Sequence, residues 1–214
     1  MSPFNDVTAE VIQIANELRS LGTVGRYYAE NPYQVERNEK VMRLAARLLG
    51  LVETRDLAEL ERFFFDDLVT VTPLAVVDTA VFDAEGRLLL MQRTDDHLWA
   101  IPGGGCEVNE LPAAGGAREV LEETGYTVEV TDLIGIFDSR FSGTRTSRHL
   151  YHLLFAARVS GGEATLSHET LDVRWFAPTE IPWNALSPGH EKRIRFALAW
   201  WAKPQTSAYF DREP

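Results

Sequence analysis

One stretch of the sequence decides the fold: Gly104-Gly-Cys-Glu-Val-Asn-Glu-Leu-Pro-Ala-Ala-Gly-Gly-Ala-Arg-Glu-Val-Leu-Glu-Glu-Thr-Gly-Tyr126. It begins as a glycine-rich loop, and from Pro112 to Thr124 its apolar residues recur at helical spacing. Gly125 follows at the position where a left-handed residue often ends a helix. The stretch therefore predicts a loop that leads directly into a helix.

Three carboxylates of this helix, Glu119, Glu122 and Glu123, fall within an arc of about 100° if each residue turns the helix by about 100°. Like charges near a helix C-terminus repel one another and oppose the helix dipole. A bound cation removes this cost, and oxygen donors without cysteine or histidine favour Mg²⁺, or Mn²⁺ in its place, over zinc. The sequence therefore predicts a divalent metal site here. The face that we expect to pack against the protein comprises Ala114, Ala117, Val120 and Leu121.

Other charged residues of the stretch can support such a site. Arg118 lies one helical turn before Glu122 and can hydrogen-bond a carboxylate, which would hold it in a metal-binding orientation. Glu107 and Glu110, on the preceding loop, can reach the same region from the side. The alternative interpretation is a solvated acidic helix face, which is what most glutamate pairs are.

The spacing of the charged and glycine residues decides between these interpretations. The pattern G-x5-E-x7-R-E-(apolar)-x-E-E-x-G-(apolar) matches the stretch at every fixed position and resembles the signature of Nudix hydrolases. The resemblance runs from about Asp67 to the C-terminal helix. It includes the segments Leu88–Arg93, Trp99–Gly104, Glu169–Phe176 and Glu180–Pro182.

The resemblance implies an α/β fold, in which an α/β/α sandwich with a mixed sheet holds the signature helix. It also implies that Glu119, Glu122 and Glu123 occupy the main metal-binding and base positions, and that Glu107 and Glu110 add ligands or support. Gly104 would allow a close approach of the backbone. The family draws its general base either from the signature helix or from a later loop, where Glu169 is the candidate; an exposed turn glutamate is the alternative for Glu169.

Residues 1–66 contain three segments with helical spacing, so we expect a small all-helical N-terminal domain followed by a Nudix domain over residues 67–214. Gly22 and Gly50 end the first two apolar runs, which predicts that the helices stop there, and Asn31-Pro32 has the form of a helix start. Three such helices bury only a marginal core alone, so we expect them to pack on the following domain or in a homodimer.

The segment Gly25–Arg37 resembles the helical extension of Nudix enzymes that cleave nucleoside diphosphates linked to another group, such as CDP-choline and ADP-ribose pyrophosphatases. This implies Mg²⁺-dependent hydrolysis of a nucleoside diphosphate linked to a moiety X, giving a nucleoside monophosphate and phospho-X. Two alternatives stay open: hydrolysis of nucleoside triphosphates in nucleotide sanitation, and a Nudix-fold domain that senses a nucleotide without cleaving it. The complete set of signature carboxylates argues against the sensor.

Basic and aromatic residues suggest where a substrate would bind. Arg93 ends a strand near the signature and is a candidate diphosphate clamp, with a surface arginine as the alternative. Arg140, Arg145 and Arg148 flank the polar loop 142–147, which could act as a lid over a phosphorylated substrate or could be a solvated hairpin. Tyr27, Tyr28 and Tyr33 could stack on a base or pack at a dimer interface.

The composition excludes several classes of protein. With 45% hydrophobic and 25% charged residues, the chain has the mix of a globular protein, and a net charge of −11 argues against long nucleic acid as a partner. The N-terminus lacks a secretory signal, the apolar runs are too short to span a membrane, and the single Cys106 cannot form an internal disulfide. We therefore expect a cytoplasmic protein whose partner is a small nucleotide.

Overall fold

The computed structural model describes residues 6–66, 72–107, 110–146, 148–204 and 207–212. The chain divides into two compact units, one largely from its N-terminal part and one from Leu74 onward. The predicted boundary between residues 66 and 67 falls beside residues 67–71, which lie outside the described residues, so the exact boundary stays a prediction.

The N-terminal unit consists of helices, as predicted. They are α1 (Asp6–Tyr27), α2 (Pro32–Leu49) and α3 (Leu57–Asp66). The Asn31 side chain caps α2 by accepting a 3.0 Å hydrogen bond from the Gln34 amide, and Gly50 follows the last residue of α2. The buried apolar residues that join the three helices are Ile12, Ala15, Ala45, Ala46, Leu49, Leu60 and Phe64.

The prediction that Gly22 ends the first helix was wrong, because α1 continues to Tyr27. A Cβ atom at Gly22 would lie 2.6 Å from Cγ of Met42, and one at Gly25 would overlap the Asn38 side chain. Glycine costs about 1 kcal/mol relative to alanine inside a helix. Glycine occurs at these two positions in spite of that cost because α2 passes so close that a Cβ atom would meet its side chains.

The second unit is built around a mixed sheet. Its described helices are α4 (Pro112–Thr124), α5 (Ser139–Ser142) and α6 (His190–Ala202). Its described strands are β1 (Leu74–Phe82), β2 (Leu88–Arg93), β3 (Trp99–Ala100), β4 (Gly103–Gly105), β5 (Tyr126–Asp138), β6 (Leu150–Gly162), β7 (Thr170–Phe176) and β8 (Tyr209–Phe210). The strand order is β3-β2-β1-β6-β5-β8, with β4 beside β1 and β7 beside β2. Strand β1 runs parallel to β6 and antiparallel to β2 and β4, which confirms the expected mixed sheet.

Alternating residues of the central strands bury opposite faces of this sheet. In β1, Ala80 and Phe82 belong to a core cluster with Ile194 and Ala197 of α6. Val81 points to the other face and shares a smaller cluster with Val120 of α4. Because α4 and α6 cover opposite faces, the unit is the α/β/α sandwich that the sequence predicted.

Candidate active site

Helix α4 places its carboxylates beside the glycine-rich loop, but they do not share one exposed face. Glu123 is buried, Glu119 is half-buried, and the side chain of Glu122 is 58% exposed. The predicted packing face was wrong in part, since Ala114 and Leu121 are exposed while Val120 and Glu123 are buried. The buried face therefore passes through Glu123, because α4 is rotated on the sheet relative to the face that its apolar residues suggested.

Glu123 is tied to the backbone of the loop. Its Oε2 accepts a 2.8 Å hydrogen bond from the Gly103 amide. Burial raises the pKa of Glu123 to about 8, and the charges of Glu119 and Glu169 act in the same direction, against the Gly103 hydrogen bond and Arg93. A cation that approaches this carboxylate would therefore stabilise its charged form.

Glu119 lies directly against Gly104. A Cβ atom at residue 104 would be 2.5 Å from Oε1 of Glu119, so a side chain there would have to displace the carboxylate. Burial raises the pKa of Glu119, and the charges of Glu122 and Glu169 add to this effect. The close approach expected for Gly104 is thus a contact with Glu119.

Arg118 binds the loop and the helix together. Its Nε and Nη2 donate to Glu110 at 2.9 and 3.2 Å, and its Nη1 donates to Glu119 and Glu122, both at 3.0 Å. Nη2 also donates to the carbonyl of Gly105 at 3.1 Å. The hydrogen bond with Arg118 lowers the pKa of Glu110, and Glu110 in turn raises that of Arg118. The expected contact between Arg118 and a signature carboxylate is therefore made three times over.

Two glycines inside α4 have packing reasons that the sequence alone does not reveal. A Cβ atom at Gly115 would lie 2.7 Å from Oε2 of Glu110, and one at Gly116 would lie 2.7 Å from Oγ1 of Thr79 in β1. Gly115 therefore leaves space for the carboxylate that holds Arg118. Gly116 lets α4 approach the sheet closely.

The other residues predicted for the site differ in how closely they are associated with Glu119 and Glu123. Glu169 and Arg93 lie near enough for their charges to act on Glu123. Arg93 forms a two-pronged ion pair with Asp95, at 2.6 and 2.9 Å, which raises the pKa of Arg93. Glu107 is exposed and donates its backbone amide to Glu110; the neighbouring residues 108–109 lie outside the described residues.

Arg140 has a different environment. It lies on α5 and pairs with Asp138 at 2.6 Å, and its charge is not among the main influences on Glu119 or Glu123. The loop that follows it, expected as a lid or a hairpin, begins as the short helix α5. The Oγ atoms of Ser142 and Thr144 then lie 3.0 Å apart. Its role as a lid stays a prediction, and Ser147 lies outside the described residues.

The donor chemistry fits a divalent cation, although no metal cage is already assembled. Among the described residues, no three Asp, Glu, His or Cys side chains converge as a ready-made metal shell. However, the pKa values of Glu119 and Glu123 are raised mainly by burial and also by neighbouring negative charges, and Gly104 has no side chain to fill the space beside them. A hard cation relieves both effects.

Sequence reasoning missed a buried polar cluster next to this site. Asp78 in β1 contacts Nδ1 of His152 at 2.9 Å and Nε of Arg193 at 3.1 Å, and His190 lies close by at the start of α6. Burial alone would raise the pKa of Asp78, but Arg193 and His152 outweigh it and hold the pKa well below its usual range. An aspartate inside an apolar strand was the available signal, but nothing in the sequence names its partners.

Comparison with known proteins places this arrangement in a family. The family model for the NUDIX domain matches residues 72–199, and a second model, the UDP-X-like, N-terminal oligomerisation domain, matches residues 9–64. The chain is 29% identical over 183 residues to the putative ADP-ribose pyrophosphatase YjhB of Bacillus subtilis (strain 168), covering 85% of this chain and 86% of that protein. It is 40% identical over 114 residues to a MutT-like protein of Streptomyces ambofaciens, covering 52% and 70%.

Solved structures agree with this assignment. A UDP-X diphosphatase covers 95% of this chain and 99% of its own, with a TM-score of 0.59; at 23% identity this likeness shows the fold. An ADP-ribose pyrophosphatase from Streptococcus suis 89-1591 is 25% identical, with a TM-score of 0.57 and coverage of 65% and 100%. None of the helices in the described part of the chain has both the length and the apolar character to cross a membrane. Since the NUDIX match spans more than half of its residues, the chain belongs to the Nudix family and is a Nudix hydrolase.

Proposed function

We propose that this chain hydrolyses the pyrophosphate bond of a nucleoside diphosphate linked to a moiety X, of the CDP-choline or ADP-ribose type, in a Mg²⁺-dependent reaction. The products are a nucleoside monophosphate and phospho-X. The observation that carries the proposal is a group of three carboxylates beside the loop Gly103–Gly105: Arg118 holds Glu119 and Glu122, and the Gly103 amide holds Glu123. A pyrophosphate is itself anionic, so it enters such a site only with cations between the two.

In this proposal Glu119, Glu122 and Glu123 hold Mg²⁺, or Mn²⁺ in its place, with Glu107 and Glu110 in support. The bound cation would neutralise phosphate oxygens and lower the pKa of a water molecule. Glu110 acts mainly through Arg118, because two guanidinium nitrogens already occupy its carboxylate. The side chain of Glu122 is largely exposed, so a cation and a substrate could reach it while Arg118 holds it.

The chain's own residues then orient the reactants and accept a proton. Arg118 fixes the rotamers of Glu119 and Glu122. The base that takes a proton from the attacking water is a carboxylate either of the signature helix, Glu119 or Glu122, or of Glu169 on the loop before β7. Glu169→Gln separates these options: loss of kcat with metal affinity retained assigns the base to Glu169, and unchanged kcat assigns it to α4.

For substrate binding we propose Gly104, Arg93 and Arg140. Gly104 leaves its backbone open beside Glu119. Arg93 is half-buried near Glu123, where a diphosphate would exchange places with Asp95. Arg140 is the weaker candidate, since its guanidinium is held by Asp138.

The class of substrate is supported by the N-terminal unit. Residues 9–64 match an N-terminal domain described as UDP-X-like, and relatives that span both units carry the names putative ADP-ribose pyrophosphatase and UDP-X diphosphatase. Relatives named MutT-like or putative 8-oxo-dGTP diphosphatase match about half of the chain. The match of residues 9–64 to the UDP-X-like extension favours diphosphate-linked substrates over nucleoside triphosphates.

A substrate screen with the full chain tests the proposal. The panel contains CDP-choline, ADP-ribose, a UDP-linked sugar, NADH, dinucleoside polyphosphates and nucleoside triphosphates, each with Mg²⁺ and with EDTA. Release of a nucleoside monophosphate from a diphosphate-linked compound, abolished by EDTA, is the expected result. Turnover of triphosphates alone would move the function to nucleotide sanitation, and binding without turnover across the panel would make the chain a sensor.

We also propose that the chain forms a homodimer through its helical unit. The matching family model is described as an oligomerisation domain. Large apolar side chains of this unit stay exposed within one chain: Leu21, Tyr27, Tyr28, Tyr33 and Leu51. Light scattering at micromolar concentration should give twice the chain mass, and a monomer would contradict the proposal.

A further inference from the structure

His190 makes an unusual contact with the backbone of the glycine-rich loop. It is the first residue of α6, is 7% exposed, and its Nδ1 accepts a 3.2 Å hydrogen bond from the amide of Ile101. Because Nδ1 accepts, the ring must be neutral with its proton on Nε2. Without this imidazole the buried Ile101 amide would lose its partner, which is costly inside a protein.

The surroundings keep His190 in that neutral form. Burial lowers its pKa well below the usual value, and the positive charge of Arg193 adds to the effect. The other charged and titratable groups that act on it are Asp78 of β1, His152 of β6 and Arg93 of β2. Of these only Asp78 favours the protonated ring. The acceptor is therefore available throughout the neutral pH range.

The loop bound by His190 is the one that holds Glu123. Ile101 is followed by Pro102, whose carbonyl accepts a 2.9 Å hydrogen bond from Thr79 in β1. The amide of Gly103 then donates to Glu123. Only Pro102 thus separates the amide that His190 fixes from the amide that orients a carboxylate of the site.

The residues around His190 are themselves held firmly. Just before it, the amide of Ser187 donates to the carbonyl of Trp99 at 2.8 Å, so two hydrogen bonds hold residues 99–101 from the start of α6. One turn further along α6, the buried Arg193 pairs with Asp78, which in turn lies opposite Gly103 in the β1–β4 ladder. The imidazole of His190 is thus held in one position, and its hydrogen bond to Ile101 holds the loop in place.

We propose that His190 is a positioning residue, which sets the conformation of the loop 101–104, and with it the Glu123 carboxylate, through its hydrogen bond to the Ile101 amide. The importance of Glu123 rests on the proposed function. The hydrogen bond and its effect on the loop do not, and they are measurable without any substrate.

Three variants of the full chain test this inference. His190→Leu keeps the volume but removes the acceptor, and His190→Asn restores an acceptor at the position of Nδ1. Ala197→Gly, also buried in α6, serves as the control for loss of helix stability without loss of the acceptor. The measurements are residue-resolved amide hydrogen exchange and, on the best substrate of the screen, kcat and KM.

In His190→Leu we expect the Ile101 and Gly103 amides to exchange about tenfold faster relative to the Leu90 amide of β2, and kcat to fall about tenfold with KM little changed. His190→Asn should recover both to within about threefold, and Ala197→Gly should show neither effect. Unchanged exchange of Ile101 in His190→Leu would overturn the inference, as would an equal loss of kcat in a folded His190→Asn. If no substrate is turned over, the exchange data alone decide, and only the proposed function fails.

Discussion

The carboxylate of Glu119 lies against the backbone of Gly104, so closely that a Cβ atom there would be 2.5 Å from Oε1 and 2.7 Å from Cδ. The backbone of Gly104 is not in the left-handed region, so the advantage of glycine here is the space it leaves for the Glu119 carboxylate. Gly105, its neighbour in β4, would meet nothing within 4 Å of an added Cβ. Two adjacent glycines therefore differ sharply in what they tolerate.

Gly104→Ala should displace Glu119 and lower kcat/KM by about 100-fold, because a shift of the carboxylate by roughly 1 Å is enough to disrupt the site. Gly105→Ala is the matched control and should keep activity within about twofold. Steady-state kinetics on both variants check this. Equal activity of the two would show that the Glu119–Gly104 contact is not needed for turnover.

Glu122→Gln should lower kcat by about 100-fold and weaken the activation by Mg²⁺, since it removes one charged oxygen from the proposed metal site. Its side chain is largely exposed, so the thermal midpoint should stay within about 2 °C of wild type. Glu129→Gln, an exposed glutamate of β5, is the control for loss of one negative charge. A Mg²⁺ titration of activity in which Glu122→Gln resembles Glu129→Gln would remove the metal role of Glu122.

Arg118→Lys should lower kcat by about tenfold or more although the charge is kept. A lysine ammonium cannot reach Glu110, Glu119, Glu122 and the Gly105 carbonyl together, whereas the planar guanidinium does. Arg87→Lys changes an arginine that pairs with Asp83 in a turn and should leave kcat unaltered. If Arg118→Lys retained full activity, charge alone would suffice at this position.

The contribution of His190 to stability should fall in mild acid, while Glu123, whose pKa is raised to about 8, contributes in the opposite direction because the folded chain protonates it first. The pKa of His190 is lowered in the folded state, so as pH falls through about 6.5 the unfolded chain takes up a proton that the folded chain does not. The contribution of His190 to the free energy of unfolding is fully present above that pH. It should drop by about 1.4 kcal/mol between pH 7.5 and 5.5. Asp78, whose pKa is also lowered, adds a further loss only below about pH 4.

Urea denaturation at pH 7.5 and 5.5 measures this effect. Between pH 7.5 and 5.5 the free energy of unfolding should change more favourably in His190→Asn than in wild type, by about 1.4 kcal/mol, because Glu123 is common to both proteins and only the His190 contribution is removed. An identical change in both proteins would show that His190 does not lower stability in mild acid.

Much of the local structure could be predicted from neighbouring residues. Asn31 and Pro32 start α2, Gly50 follows its end, and Gly125 ends α4 with φ of 78°. Each of these depends on a backbone preference or on a hydrogen bond within a few residues, which the order of amino acids contains directly.

Contacts between distant parts of the chain could not be predicted in this way. Gly22 was predicted to end a helix because the sequence does not show that α2 packs against it. Leu121 was predicted to be buried because the sequence does not show that α4 turns it outward. In both cases local propensity was overridden by packing, whose energy depends on which surfaces meet.

By itself the sequence determined the family, the three-layer fold and the set of carboxylates, because the spacing of the signature encodes a loop, a helix and its charged residues within one short segment. Only the tertiary structure decided which of those carboxylates is buried and what holds them. Glu123 lies against Gly103, and His190 meets Ile101 across 89 positions of the chain. Burial and pairing of charges set pKa values and orientation, and both depend on residues that are brought together only when the sheet and its helices close on one another.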